Sequence, residues 1–408
     1  MTRASRLLSA VPMVLLTALP LAAADTGKFT SLFDGRTLNG WEVCNGFATY
    51  KVDGGAIVGT TAEGSPNSFL CSKEEYGDFI LEFEVKVDPA LNSGVQIRSH
   101  RYPADVTVMT FDGSKKVESK HKAGRVYGYQ VEISNVKSGT SGGIYDEARR
   151  GWLHNIDKDP AASTAFRDNK WNKYRIEARG DRLRTWVNEV PCADLVDPLD
   201  QSGFIGLQVH SYKGEKPAQV RWRNIRIQPL GRHVWKPLTD GKTMNGWTKQ
   251  GTGNWTIEDG AFRGLSAEGE TRAGFLISER SFTDVTARVK FKILKGNSGF
   301  FFRAAQANLA GYEAEIDAEK RTGGLWEVAG RNWVTGPEDN AVVNAGDWND
   351  LVVSAQGRRI VIHVNGAKTM ELLNDAQGST QGHLAMQVHS RWPTEVWFKD
   401  VEVLEPAQ

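Results

Sequence analysis

The sequence is an approximate duplication, and this feature constrains the fold more than any other. Residues 33–41 (FDGRTLNGW) return as residues 238–247 (LTDGKTMNGW). Four later motifs return in the same order: residues 92–94 as 297–299, 142–145 as 323–326, 171–172 as 348–349, and 208–211 as 387–390. Solenoid repeats have periods of about 20–50 residues. The much longer spacing here predicts two copies of a whole domain.

The amino-terminal residues predict an export signal. Arg3 and Arg6 precede an apolar run over residues 7–21, and alanines 22–24 end that run. This order is typical of a secretory signal peptide, with cleavage expected after Ala24. The run is too short for a stable membrane span. We therefore expect residues 1–24 to be removed and the mature protein to be periplasmic or secreted, without a membrane span.

The remaining length suits two domains, residues 25–230 and 231–408, with the boundary near residues 229–232. The chain has 50 Lys and Arg residues against 49 Asp and Glu residues. One basic cluster occurs, at residues 115–122, and it is typical of a solvated loop rather than of a nucleic-acid surface. The 13 tryptophans offer platforms for sugar rings. Carbohydrate is therefore the predicted partner, and nucleic acid is not.

The chain contains three cysteines, Cys44, Cys71 and Cys192. Export permits a disulfide, for which Cys44 and Cys71 are the nearest pair in sequence. Three buried thiols are the alternative, because the number is odd. No Cys/His spacing resembles a zinc site.

Alternation of polar and apolar residues predicts strands throughout the chain. The period of two is clear over residues 79–87, 173–179, 219–227 and 286–293, and Gly-rich turns separate such runs. No segment keeps a helical period for three turns. The fold class is therefore all-β, with a sandwich or jelly roll in each half.

The two halves differ in their insertions. A long polar insertion separates Arg98 from Tyr127 and contains His100, Tyr102, His121 and Lys122. A second insertion covers residues 146–170. Loops this long in compact domains are usually functional or disordered. We expect at least one of the two to be functional.

Polar side chains at alternate positions predict a shared face on the sheet. Three strands of the first half contribute the pairs Gln96 with Arg98, Gln130 with Glu132, and Gln208 with His210. The second half contributes Arg303, Glu313, Glu315, Asp317, Gln387 and His389. A merely solvated face is one interpretation. A concave groove for a sugar is the other, which glycines such as Gly94 favour because they allow close approach to the backbone.

On these residues the chain resembles the 3-keto-disaccharide hydrolase family, in two tandem copies. The resembling motifs are residues 33–41, 92–98, 129–133, 142–145, 171–172 and 206–210, and both halves carry the set. The resemblance implies a concanavalin A-like jelly roll in each half and the cleavage of 3-keto-glycosides. The first half departs from the family pattern, because Gln130 and Ser134 or Asn135 stand where acids are usual.

The ketone of such a substrate acidifies the proton on C2, so a base can start an elimination that water addition completes. The candidate catalytic residues are Glu132 or His210 as the base and Arg98 as the stabiliser of the enolate. Gln96, Gln130, Gln208 and Tyr145 are candidate sugar-binding residues. In the second half Glu315, His389 and Arg303 are the corresponding candidates, beside Glu313 and Gln387. No cofactor is demanded by the sequence, although a divalent cation is an alternative stabiliser.

Two other functions stay open. Residues 315–319 (EIDAE) match the E-x-D-x-E pattern of retaining endo-glucanases, which would make Glu315 the nucleophile and Glu319 the acid/base. A duplicated jelly roll is also typical of a non-catalytic carbohydrate-binding or adhesion module, since duplication raises avidity. Among the enzymatic hypotheses, the longer insertions favour the first half as the catalytic one.

Overall fold

The computed structural model describes residues 27–112, 115–266, 269–390 and 393–407. The predicted signal peptide lies outside the described residues. Within the described ranges every regular element is a strand, which confirms the all-β prediction. These ranges contain no helix that is both long enough and apolar enough to cross a bilayer.

The first half of the chain forms a sandwich of two antiparallel sheets. Its strands are β1 (Thr30–Ser31), β2 (Trp41–Cys44), β3 (Thr49–Asp53), β4 (Ala56–Thr60), β5 (Ser68–Tyr76), β6 (Asp78–Val87), β7 (Ser93–Arg101), β8 (Val106–Asp112), β9 (Lys115–His121), β10 (Val126–Ile133), β11 (Ile144–Glu147), β12 (Gly151–His154), β13 (Asn172–Arg179), β14 (Arg182–Val187), β15 (Val190–Val196), β16 (Gly203–Val209) and β17 (Gln219–Gly231). The eight-stranded sheet has the order β15-β14-β13-β6-β17-β4-β3, with β1 beside β17. The seven-stranded sheet has the order β12-β11-β10-β7-β16-β5-β2.

The second half repeats this architecture. Its strands are β18 (His233–Pro237), β19 (Trp247–Gly251), β20 (Asn254–Glu258), β21 (Ala261–Leu265), β22 (Gly274–Phe282), β23 (Val285–Lys295), β24 (Asn297–Ala304), β25 (Gly311–Asp317), β26 (Leu325–Val328), β27 (Asn332–Thr335), β28 (Asn349–Gln356), β29 (Arg359–Val364), β30 (Ala367–Leu372), β31 (Gly382–Val388) and β32 (Glu395–Pro406). One sheet has the order β20-β21-β32-β23-β28-β29-β30, with β18 beside β32, and the other β19-β22-β31-β24-β25-β26-β27. The chain therefore folds into two jelly-roll sandwiches, as expected.

Each sandwich has its own apolar core between its two sheets. In the first, Trp222 is fully buried and Phe83 stacks on Tyr174 with ring centroids 5.1 Å apart. In the second, Phe302 stacks on Tyr312 at 5.4 Å. Burying a large apolar side chain contributes about 1.5–3 kcal/mol. The inward residues of the period-two runs thus supply separate stability to each copy.

The long insertion of the first half is a hairpin rather than a loop. Strand β7 continues to Arg101, and β8 pairs with β9 in a separate two-stranded sheet. Tyr102 stacks on Tyr127 at 4.1 Å and on His121 at 5.4 Å. Beside the hairpin, Lys122 Nζ donates to Asp105 at 2.6 Å. Stacked aromatic rings therefore fix the base of the hairpin on the sandwich.

The three cysteines are free thiols. Cys44 and Cys71 are buried on the neighbouring strands β2 and β5, in a small apolar cluster with Phe69 and Phe204. The structure therefore has no disulfide among the described cysteines, and the alternative of three buried thiols holds for Cys44 and Cys71 but not for the partly buried Cys192.

Arg98 does not share a face with Gln96, contrary to the sequence interpretation. Its backbone is left-handed, with φ of 45°, and this conformation breaks the alternation of the strand. The side chain is fully buried. Its guanidinium donates to the carbonyls of Gly77 and Gly180 at 2.7 and 2.6 Å and to the Asp78 carboxylate at 2.7 Å. Arg98 therefore joins chain segments and is not placed to meet a substrate.

Arg303 repeats this arrangement in the second sandwich. Its φ is 50°, and it donates to the carbonyls of Thr283 and Gly357 at 2.7 and 2.8 Å and to Asp284 at 3.0 Å. The recurrence of arginine in both copies thus has a structural cause. Left-handed backbone is unfavourable for a residue with a side chain, and the buried hydrogen bonds hold it in place.

Polar contacts join the two sandwiches. His233 Nδ1 lies 2.5 Å from the same Asp78 that binds Arg98. Asp181 accepts hydrogen bonds from the hydroxyl groups of Thr286 and Ser354, at 2.6 and 2.5 Å. These contacts are hydrogen bonds between polar side chains, so the interface depends on specific geometry rather than on apolar area alone.

Replacement of Arg98 by methionine is expected to lower the free energy of unfolding of the first sandwich by about 3–5 kcal/mol, because Asp78 and the carbonyls of Gly77 and Gly180 would lose the buried guanidinium. Urea denaturation followed by tryptophan fluorescence measures this change. Arg101→Met is the control, since Arg101 pairs with Glu42 at the surface and such pairs contribute about 0–1 kcal/mol. Equal losses in the two variants would contradict the assignment.

Candidate functional site

The candidate site lies on the outer face of the seven-stranded sheet of the first sandwich. On its central strands, Val95, Val131 and Leu207 point into the core and are fully buried. Their neighbours Gln96, Gln130 and Gln208 therefore point to the opposite face. The register places Gln130 directly opposite Gln96, and Glu132 opposite Gly94. The expected alternation is confirmed for these strands.

Three glutamines on this face form one hydrogen-bonded cluster. The Nε2 groups of Gln96 and Gln208 both donate to Oε1 of Gln130, at 2.8 and 2.7 Å. The Ser99 hydroxyl donates to Oε1 of Gln96 at 2.7 Å. Oε1 of Gln208 is buried and has no hydrogen-bond partner among the described residues. One acceptor of the cluster therefore lacks a described partner.

Glu132 ends this cluster. Its carboxylate accepts from Nε2 of Gln130 at 3.1 Å and from Nδ2 of Asn92 at 2.5 Å. The residue is only 6% exposed. Burial disfavours the charged form and, despite the two donors, raises the pKa of Glu132 to about 7. A carboxyl with this pKa can accept or release a proton near neutral pH.

The glycines beside this face make room for the protein itself. A Cβ added at Gly94 would lie 2.5 Å from Cδ of Gln130. A Cβ at Gly299, the equivalent residue, would lie 1.9 Å from Oε1 of Glu313. The sequence interpretation that Gly94 leaves space for a ligand is therefore wrong in detail, because a neighbouring side chain fills the space.

Tyr145 and Glu147 extend the face along β11. Tyr145 lies opposite Gln130 in the register, and its ring meets the edge of Trp152 at 5.4 Å. Burial, with smaller contributions from the charges of Glu147 and Glu132, raises the pKa of the Tyr145 phenol. The phenol therefore stays protonated near neutral pH. Tyr145 is placed where the sequence analysis expected a sugar-binding residue.

His210 lies at the rim rather than in the cluster. Strand β16 ends at Val209, and Nδ1 of His210 lies 2.8 Å from the carbonyl of Ser211. The described hydrogen bonds of His210 all go to Ser211. The structure thus joins Gln96, Gln130, Gln208 and Glu132 by hydrogen bonds, and none of the described hydrogen bonds of His210 reaches this group.

Several polar residues of the site carried no role in the sequence analysis. Asn92 binds Glu132, and its equivalent Asn297 binds Glu315 and Asp317. The repeated Asn-Ser-Gly motif contained this signal. At the rim, Glu147 accepts from Arg125 and, at 3.0 Å, from Asn67. No motif marked that second group.

The second sandwich carries a different face at the equivalent place. Glu315 lies opposite Gly299, but Phe301 lies opposite Glu313 where the first copy pairs two glutamines. Burial raises the pKa of Glu315 to about 7, and burial together with the neighbouring Glu315 charge raises the pKa of Glu313 well above its usual range. This copy therefore holds two carboxyls and fewer amide groups.

Gln387 and His389 keep equivalent places in the second copy. Oε1 of Gln387, like that of Gln208, is buried without a hydrogen-bond partner among the described residues. Nδ1 of His389 lies against the carbonyl of Ser390. Gln387 therefore joins the outer face, and His389 lies at its rim, as His210 does in the first copy.

The strand expected to carry the E-x-D-x-E pattern ends at Asp317. Glu319 is exposed in the following turn, where its backbone N–H donates to Asp317 at 2.7 Å. The pattern therefore combines a strand residue, Glu315, with a turn residue, and Asp317 serves that turn.

A repeated ionic cluster lies near the same sheet and was not anticipated. Tyr129 donates to Asp197, which binds Arg150 at 2.8 Å. The second copy has Tyr312, Asp375 and Arg331 in the same relation. These groups are mutually satisfied, so they brace the sandwich. Across the part of the chain that the structure describes, no group of three or more His, Cys, Asp or Glu side chains is arranged to hold a metal ion.

The comparisons with known proteins agree with this architecture. The family model for the 3-keto-alpha-glucoside-1,2-lyase-like domain matches residues 28–228 and again residues 234–404. No curated protein matches the chain.

Three similar solved structures each cover less than half of the chain. A protein of Parabacteroides distasonis ATCC 8503, provisionally described as a glycosyl hydrolase, is 20% identical over 43% of this chain and 94% of its own, with a TM-score of 0.32. The carbohydrate-binding module CBM66 of Bacillus subtilis is 22% identical over 39% and 95%, with a TM-score of 0.31. The VIP36 exoplasmic/lumenal domain in its Ca2+/Man-bound form is 12% identical over 43% and 90%, with a TM-score of 0.31.

The two family matches include both sandwiches and most of the sequence. The resemblance drawn from the repeated motifs is therefore confirmed. The chain belongs to the family of 3-keto-alpha-glucoside-1,2-lyase-like domains and carries two of these domains in tandem.

Proposed function

We propose that the protein cleaves 3-keto-glycosides and that Glu132 is the general base. The observation that carries this proposal is the buried Glu132 carboxyl, whose pKa is raised to about 7. A base whose pKa lies near the working pH is deprotonated in a large fraction of molecules and is still basic enough to take a proton from the substrate. The C2 proton of a 3-keto sugar is acidified by its ketone and suits such a base.

The reaction proceeds by elimination and hydration. Glu132 takes the proton from C2, and the electron pair of that bond forms the enolate. The enolate then expels the aglycone oxygen from C1, and that oxygen receives a proton. Water adds across the resulting enone, its hydroxyl to C1 and its proton to C2. The sum is hydrolysis, and no oxidant or reductant is consumed.

The other roles fall to residues of the same face. The protonated Tyr145 phenol, which is held in that form by its raised pKa, is the proposed proton donor to the leaving oxygen. An amide nitrogen carries two hydrogens, and the described bonds of Gln130 and Gln208 use one each. The remaining hydrogens are the proposed donors to the enolate oxygen. This role replaces the one expected for Arg98, which is buried elsewhere.

Catalysis is assigned to the first copy for a chemical reason. The second copy has Phe301 at the place of Gln96. The Phe301 ring packs in an apolar cluster with Ile277 and Ala385. That face therefore offers fewer donors to a developing oxyanion.

A second candidate is sugar binding without turnover. The buried Oε1 atoms of Gln208 and Gln387 have no partner among the described residues. An unsatisfied buried acceptor costs about 1–3 kcal/mol, and a hydroxyl group that reaches it would recover that energy. Both copies share this feature although their acids differ. Binding of a sugar by a wild-type protein that releases no product would favour this candidate.

Glu132→Gln is expected to lower kcat for release of 3-keto-glucose from a 3-keto-disaccharide by about 10²–10⁴-fold, the usual contribution of a general base. The amide keeps the size of the side chain, so the fold should persist. The assay is run with and without added divalent cation, which also tests for a metal requirement. Glu315→Gln is the matched control and should retain activity. Equal losses in both variants, or no release by the wild type, would overturn the proposal.

The pH dependence follows from the raised pKa of Glu132. kcat/KM should increase with pH and level off above an apparent pKa of about 7. The folded state favours the protonated acid, so the stability that this group contributes is present below about pH 4.3 and is lost as pH rises through about 7. The difference in unfolding free energy between wild type and Glu132→Gln should therefore change across this window. A difference that is constant with pH would contradict the shift.

We also propose that the protein acts outside the cytoplasm, because residues 1–24 have the order of a secretory signal peptide. Expression of the full chain followed by cell fractionation should recover it in the periplasm or medium. Amino-terminal sequencing should then begin at Asp25. A cytoplasmic product that retains Met1 would contradict this prediction.

A further inference from the structure

We propose that the cleft between the two sandwiches binds a neutral oligosaccharide at a second site, which adjoins the Glu132 face where Trp152 contacts Tyr145. The cleft has a volume of about 1150 Å³. Small-molecule sites usually measure about 300–1,000 Å³, so this volume suits a ligand of more than one sugar ring. The first sandwich contributes residues of β8 and β12, and the second contributes residues of β18, β23, β28 and β32.

The wall from the first sandwich carries exposed apolar side chains, beside the mostly buried Arg149, Arg150 and Asp197. Met109 of the inserted hairpin, Trp152 of β12 and Leu199 are each exposed by more than two fifths, at 46%, 41% and 45%. They are three of the nine exposed large apolar side chains among the described residues, and all three line this one cleft. Exposed apolar side chains that gather in one place mark a binding surface, whereas singly scattered ones need no explanation.

The opposite wall is polar and balanced in charge. It is the outer face of the eight-stranded sheet of the second sandwich, where Arg288 binds Glu402 at 2.5 Å and Lys290 lies 3.8 Å from Asp350. Over the whole cleft, six cationic and five anionic side chains are present. This near-neutrality disfavours a strongly charged ligand and favours one that presents many hydroxyl groups.

Two indole rings stand on the two walls. Trp152 belongs to the apolar wall, and Trp235 of β18 to the polar one. The guanidinium of Arg288 lies over the Trp235 ring, 4.3 Å from its centroid, and fixes the orientation of that ring. A pyranose has apolar C–H faces and a polar edge, so it can stack on an indole and hydrogen-bond to charged neighbours. The pairing of walls therefore matches a saccharide.

The duplication supplies internal controls. Trp333 pairs with Trp326 in the second copy as Trp152 pairs with Tyr145 in the first. Phe29 lies under Arg226 at 4.7 Å, as Trp235 lies under Arg288. Neither Trp333 nor Phe29 lines the cleft. Substitution of each aromatic residue and of its counterpart therefore distinguishes an effect on binding in the cleft from an effect on the fold.

The test measures binding by the Glu132→Gln form of the full chain, so that no turnover interferes. Isothermal titration calorimetry with maltopentaose, cellopentaose and xylopentaose as probes should find at least one that binds. Trp235→Ala is the decisive variant, because Trp235 belongs to the second sandwich, and it should raise Kd about tenfold, equivalent to about 1.4 kcal/mol. Trp152→Ala should have a similar effect, although Trp152 also contacts Tyr145. Trp333→Ala and Phe29→Ala should change Kd less than twofold.

Two further measurements guard against misfolding. Trp152→Tyr keeps an aromatic platform and should retain most of the affinity. Hydrogen exchange of the parent protein should show protection by the bound probe over residues 108–111 and 235–242. The inference is overturned if none of the three probes binds, if the control variants lose as much affinity as the cleft variants, or if protection falls elsewhere. Because the readout is binding by an inactive form, failure here is distinguishable from failure of the proposed reaction.

Discussion

The arrangement of the candidate site depends on one constraint, which is that the central strands of the seven-stranded sheet are covered on both faces. Their inward side chains form the apolar core, while outward residues such as Gln96 and Gln208 are also buried. Buried polar groups must find partners. The glutamines therefore bind one another, and Glu132 is held in a setting that disfavours its charge. The near-neutral pKa of that carboxyl is a consequence of packing.

Comparison of the two copies distinguishes residues that the fold requires from residues that give each copy its own chemistry. Arg98 and Arg303 have the same left-handed backbone and the same kind of buried carbonyl partners. Gln96 and Phe301, by contrast, occupy equivalent positions with opposite polarity. Repetition within the chain thus indicates what the sandwich needs in order to fold. The differences indicate where the two copies have acquired separate surfaces.

The tandem arrangement also creates a surface that neither copy has alone. The cleft takes its apolar wall from an insertion and an edge strand of the first sandwich, and its polar wall from a sheet of the second. Contacts such as those of Asp181 with Thr286 and Ser354 hold these walls together. On the two proposals together, one glycan would meet the protein at two places, which would increase the effective concentration of the reacting sugar.

The sequence by itself determined the all-β class, the two copies, the family, and the face shared by Gln96, Gln130, Gln208 and Glu132. These features follow from period-two alternation and from internal repetition, which are local properties of the chain. Only the tertiary structure decided that Arg98 points away from this face and that Gln130 fills the space beside Gly94. A left-handed residue reverses the alternation, and the volume beside a glycine belongs to a neighbouring strand. The contacts that produce both effects join residues far apart in the sequence, so no local pattern could reveal them.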